Sequence, residues 1–85
     1  MDQKTVYYAI TGVGQNPSDP SGLVRRRFTE KGRLDEALHG DMTWQRDTAI
    51  IEWEYGNLVG ELFEISEADA QALIERFREK WSRED

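Results

Sequence analysis

The chain has 85 residues, with 17 acidic and 11 basic side chains, one histidine, no cysteine and a formal charge of −6. That length predicts one domain over residues 1–85, and the lack of cysteine removes disulfides, thiol nucleophiles and cysteine-based metal sites. The acidic balance argues against nucleic acid as a partner, because nucleic-acid binders normally carry a basic footprint.

Residues 5–11 (TVYYAIT) are rich in β-branched and aromatic side chains and predict a strand. Its alternation sets Val6, Tyr8 and Ile10 on one face and Tyr7 and Ala9 on the other. Residues 12–22 (GVGQNPSDPSG) predict a long loop. Residues 23–29 (LVRRRFT) and 33–38 (RLDEAL) predict a hairpin around Glu30-Lys31-Gly32, with Gly32 supplying a positive φ. A three-residue loop there sets Phe28 opposite Leu34, Arg27 opposite Asp35, Arg26 opposite Glu36 and Val24 opposite Leu38. Every pair is then apolar with apolar or cation with anion. Residues 40–47 predict a connection anchored by Trp44.

Residues 48–56 (TAIIEWEYG) can be read two ways. β-Propensity and alternation favour a strand; Asp47 at the N-cap and Gly56 just past the end favour a helix, the preferred reading. Residues 61–65 predict the last strand. Ser66 then opens the clearest element, with Ser66 as N-cap, Asp69 at the third helical position, and Ile65 and Ala70 as a staple. Ala70, Leu73, Ile74, Phe77 and Trp81 form one apolar stripe, with Glu67 and Asp69 in the first turn and Lys80 and Arg83 near the end, as the helix dipole prefers. The expectation is an α+β domain of order β-β-β-α-β-α. A small antiparallel sheet carries a C-terminal amphipathic helix packed on one face through Leu73, Ile74, Phe77 and Trp81.

The succession of a Tyr-Tyr strand, Gly22-Leu23-Val24-Arg25-Arg26, Asp35-Glu36-Ala37, a lone Trp44, a short segment ending at Gly56, and Glu64-Ile65-Ser66-Glu67-Ala68-Asp69-Ala70 resembles a group of small hypothetical proteins of actinobacteria. The resemblance covers nearly the whole chain, implies a helix after the tryptophan, and brings no functional residue with it.

Motifs that could carry chemistry are sparse. Thr11-Gly12-Val13-Gly14 looks like the start of a phosphate loop, but Asn16-Pro17 and Asp19-Pro20 follow it, so no helix opens behind it. Asn16-Pro17-Ser18 is no glycosylation acceptor, because proline occupies the middle position. His39 has no second histidine or cysteine with which to hold zinc. Arg25, Arg26 and Arg27 are too few for a nucleic-acid patch, alternate between faces, and have Asp35 and Glu36 across the hairpin to neutralise them. No catalytic residue, cofactor site or metal site is therefore assigned.

The charge is unevenly placed. Residues 1–34 hold six basic and three acidic groups, whereas residues 35–75 hold eleven acidic groups and one basic group, Arg46. Glu52, Glu54, Glu61, Glu64, Glu67 and Asp69 cluster in sequence. With Trp53, residues Glu52, Glu54, Glu61 and Glu64 make a candidate acidic-aromatic interaction surface. The leading expectation is a non-enzymatic interaction or regulatory domain whose acidic residues 47–69 meet a basic protein partner. The second is a small-ligand-binding or enzymatic domain with a pocket around the polar pair Arg26 and Glu36. The third is a structural homodimer. No apolar run approaches the ~18 residues of a membrane span, and Met1-Asp2-Gln3-Lys4 lacks the plan of a secretory leader. A cytoplasmic protein with no membrane or nucleic-acid partner is expected.

Overall fold

The computed structural model describes residues 4–12, 19–58 and 60–82. The would-be phosphate loop beyond Gly12, the Asn16-Pro17-Ser18 triplet, the N-terminal Met1-Asp2-Gln3 and Arg83 lie outside the described residues. In chain order the elements are β1 (Lys4–Thr11), β2 (Gly22–Thr29), β3 (Gly32–Leu38), β4 (Trp44–Arg46), α1 (Ala49–Glu54), β5 (Glu61–Ile65) and α2 (Glu67–Ser82). The five strands form one antiparallel sheet in the order β4-β3-β2-β1-β5.

Alternation along the strands builds a core on each face. Tyr7, Ala9, Leu23 and Leu38 point to one side and pack under α2 with Ala70, Leu73 and Phe77; Ile65, Ile74, Met42, Trp44 and Trp81 close the edges. The amphipathic stripe read in the sequence is the buried face of α2. Its Phe77 and Trp81 rings stack at 4.7 Å with 6° between their planes. Val24 and Leu62 point to the other side with Tyr8, Ile10 and Ala37, and pack under Ala49 and Ile50 of α1. Leu23, Val24 and Ile50 are each 1% exposed, and burial of such a side chain stabilises by roughly 1.5–3 kcal/mol.

Both helix ends follow from local chemistry. At α2, Ser66 Oγ accepts the Asp69 N–H at 3.1 Å, the N-cap role its position predicts. At α1, Thr48 is the N-cap without a side-chain cap bond. Asp47 does the capping from one residue earlier, its carboxylate accepting the Ala49 N–H at 2.7 Å. Gly56 takes φ 77° just past the helix. Gly56 N–H donates to Trp53 O and Asn57 N–H to Glu52 O, the bond pair that ends a helix on a left-handed glycine. Residues 48–56 are thus helical at their centre, as the punctuation indicated.

Two expectations change. The order is β-β-β-β-α-β-α, because Trp44–Arg46 is a strand rather than a plain connection. It forms because His39 N–H donates to Thr43 O and Met42 N–H to His39 O, closing a tight turn with Met42 at φ 67°. Three residues are too few to show an alternating pattern. The β2–β3 register also differs by one residue. Thr29 pairs directly with Gly32, leaving a two-residue turn of Glu30 and Lys31. Thr29 Oγ1 donates to Gly32 O and accepts the Lys31 N–H. Arg25 therefore faces Glu36, Arg26 faces Asp35, and Val24 faces Ala37. Apolar matching at the hairpin tip is lost, since Phe28 meets Arg33 and Arg27 meets Leu34. Ion pairing in the strand centres is kept.

Candidate interaction site

The one-residue shift separates the expected polar pair. Arg26 and Glu36 stand on opposite faces of the sheet, and each has other partners. On the α1 face, Arg26 Nε and Nη2 donate to the two oxygens of Asp35 at 2.8 and 3.0 Å. Its Nη1 and Nη2 donate to the two oxygens of Glu54 at 2.9 and 3.0 Å. One guanidinium thus serves two carboxylates in paired geometry, the strongest form of such contacts. The Arg26 and Asp35 side chains are only 7% and 6% exposed, against 41% for Glu54. Hydrogen bonds to Asp35 and Glu54 raise the affinity of Arg26 for its proton further. The Arg26 bonds hold the Glu54 carboxyl below its usual range, with burial opposing and Arg33 assisting.

On the α2 face, Glu36 bridges two cations. Arg25 Nε and Arg27 Nε each donate to Glu36 Oε1 at 2.9 Å. The Arg25 guanidinium also lies 4.0 Å over the Trp44 ring, a cation–π contact, and Trp44 in turn meets the Tyr7 ring at 6.3 Å. Burial pushes the Glu36 carboxyl up, but the hydrogen bonds and charges of Arg25 and Arg27 outweigh it and leave it below its usual range. All three consecutive arginines are therefore ion-paired, Arg25 and Arg27 sharing the one charge of Glu36 while Arg26 is shared by Asp35 and Glu54.

Three open concavities of about 410, 320 and 310 Å³ lie beside Arg76 and Phe77, beside Arg33 and Arg46, and beside Pro20 and Ala72. Neither Arg26 nor Glu36 lines any of the three, although Asp35, the partner of Arg26, lines the second. Every buried side-chain nitrogen and oxygen among the described residues has a hydrogen-bond partner. No group of three or more acidic or histidine side chains among the described residues could hold a metal ion. No helix of the described residues is long and apolar enough to cross a membrane.

The expected acidic-aromatic surface is partly assembled. Glu52 and Trp53 lie on α1, and Trp53 is 40% exposed with its ring 5.8 Å from that of Tyr8. Glu64 shares that face. Burial, then Glu64, push the Tyr8 hydroxyl above its usual range against the pull of Arg26. Glu54 is committed to Arg26 and is not a free charge. Glu61 falls on the α2 face, because it lies three positions before Glu64 in a strand of period two. The exposed carboxylates are spread over β5, the start of α2 and α1, as an acidic rim. Glu61 and Glu64 on β5 and Glu67 and Asp69 in the first turn of α2 are exposed, and Glu52 is exposed on α1. None of the five makes an ion pair among the described residues. Phe63, between the two β5 glutamates, is 37% exposed. Sequence reasoning did not single it out; its signal is the alternation with buried Leu62, which turns Phe63 to the α2 face while α2 lies over β1 and β2.

Comparison with protein-family models, with curated proteins and with solved structures finds no match for this chain.

Proposed function

We propose that this chain is a non-enzymatic interaction domain whose acidic rim, Glu52, Glu61, Glu64, Glu67 and Asp69, meets a basic protein partner. The observation that carries this reading is the asymmetry of charge use. Arg25, Arg26 and Arg27 are ion-paired with Asp35, Glu36 and Glu54, whereas the five rim carboxylates have no cation partner among the described residues. A one-signed field of this kind steers a complementary partner and sets its orientation. Exposed Trp53 and Phe63 supply apolar contact beside the charges, and aromatic side chains are enriched among residues that dominate interface energies.

The test is a titration of the isotope-labelled chain with a lysine-rich peptide and with a glutamate-rich control, followed by amide shifts. Shifts confined to residues 52–53 and 61–69, weakening as salt rises, support the reading. Absence of such shifts near physiological ionic strength, or equal shifts with the acidic control, overturns it.

A further inference from the structure

We propose that the open edge of β5 accepts an extended basic segment of that partner as a sixth strand. Its cationic side chains would lie opposite Glu61 and Glu64, and an apolar one opposite Phe63. The inference rests on the reading of the chain as a binder of a basic partner and adds the mode of contact.

β5 pairs with β1 along Glu61–Ile65 and stands last in the sheet order. In an antiparallel pair, every second residue turns its N–H and C=O away from its neighbour. Among the described residues no strand pairs with the outer side of β5, which is therefore a row of donors and acceptors available to another strand. Natural sheets blunt such edges with charged side chains, lysine above all, or with proline, a bulge or a covering element; on β5 the charges are acidic, so they bar an acidic or like strand and admit a basic one. The β5 segment, ELFEI, has no lysine or proline, and its five residues pair in unbroken register. Nor does α2 cover it, since that helix lies over β1 and β2. The only charges on the strand are those of Glu61 and Glu64, one on each face.

Charge complementarity selects the occupant. A second copy of the chain fits poorly. In registers centred on residues 61 to 64 that continue the two faces, either the two Glu61 or the two Glu64 side chains come directly opposite or diagonal to one another. Like charges so placed oppose pairing. A basic strand meets no such conflict. Read antiparallel, residues 64, 63, 62 and 61 call for cation, apolar, any, cation, so a segment such as Lys-Val-Thr-Lys matches both faces at once. The opposite edge, β4, is three residues long and ends in Arg46, so it offers neither the length nor the sign.

The experiment uses the full chain and three synthetic peptides. One carries Lys-Val-Thr-Lys flanked by threonines, one is the same peptide made in two forms, each N-methylated on one of the two alternate sets of residues, and one is a scramble of equal composition. The expected result is that the first peptide slows hydrogen exchange at β5 amides. One of the two N-methylated forms, the one whose methyl groups face β5, should bind at least tenfold more weakly, and E61K/E64K should weaken binding at least tenfold. Equal binding of all three peptides, or shifts at Glu52 and Trp53 with β5 unchanged, overturns the added strand while leaving a basic partner in place. Failure of every lysine-containing peptide to bind near physiological salt overturns both. Protection of β5 amides that grows with protein concentration and without peptide assigns the edge to a second copy and overturns the proposal.

Discussion

Glu54, the last residue of α1, accepts two hydrogen bonds from Arg26 in the middle of β2, at 2.9 and 3.0 Å and 28 positions away in the chain. Asp35 takes the other side of the same guanidinium. Arg26 is thus the joint between hairpin and helix. Arg26→Ala strands Asp35 in a buried site without a cation, a change that typically costs about 3–5 kcal/mol. Replacing both, as R26M/D35L, should recover most of the loss. Urea denaturation of the two variants checks this, and a single-variant loss below about 1 kcal/mol would refute it.

The sequence register predicts that Glu36→Ala is more damaging than Asp35→Ala. The structure reverses this order. Without Asp35, Arg26 stays enclosed with only half of its partners, whereas Arg25 and Arg27, at 19% and 36% side-chain exposure, can turn to water once Glu36 is gone. Asp35→Ala should therefore shift the urea midpoint further than Glu36→Ala. The reverse ranking would count against the observed register.

Acid should unfold the protein partly through Glu36. Its folded carboxyl titrates below its usual value near 4.5, so its contribution is fully present above that pH and is lost as pH falls through the lowered folded value. Glu54 acts in the same direction. Melting temperatures measured from pH 7 down to about 2.5 should fall below pH 4.5, and Glu36→Gln should flatten that fall. Parallel curves for the two proteins would remove Glu36 from the account.

Gly60 has φ 121°, and a Cβ placed on it would lie 2.5 Å from the Thr11 carbonyl oxygen. Gly56 has φ 77° and open space around its Cβ position. Gly56→Ala should cost about 1 kcal/mol of left-handed strain. Gly60→Ala should cost clearly more, because the β1 backbone must move as well. Thermal melts of the two variants give the comparison.

Ile50 is 1% exposed and plugs α1 into the core on its face. Ile50→Ala should cost about 2–5 kcal/mol. A loss well under that range in chemical denaturation would mean that α1 contributes little to the fold.

Strong periodicity and capping were legible in the sequence. The α2 stripe, Ser66 as cap, Gly56 as stop and the two faces of β1 all appear where local pattern sets them. The hairpin register was not legible, because two- and three-residue turns differ by one residue and both give charge matching. The choice fell to Thr29 bonding across the turn and to the fit of Ala37, rather than Leu38, beside Val24. The Arg26–Glu54 contact left no trace either, since nothing local links positions 28 residues apart. For the candidate site, the run of carboxylates was plain. Which of them are already taken, and that Phe63 lies open between two that are not, depends on how far each helix reaches across the sheet.

The chain leaves the sheet at one edge, β4, and re-enters it at the other, β5, with α1 strapped across the face between them. β2, β3 and β4 form a meander whose partners are close in sequence, whereas β5 meets β1 only across a separation such as Thr11 to Glu61. Distant pairings pay for loop closure before they gain contacts. Assembly should therefore finish with β5, and its amides should open to solvent exchange before those of β2. The last strand to be recruited is also the one whose outer side no other described strand covers, so the end of the folding sequence and the place proposed for a partner's strand coincide.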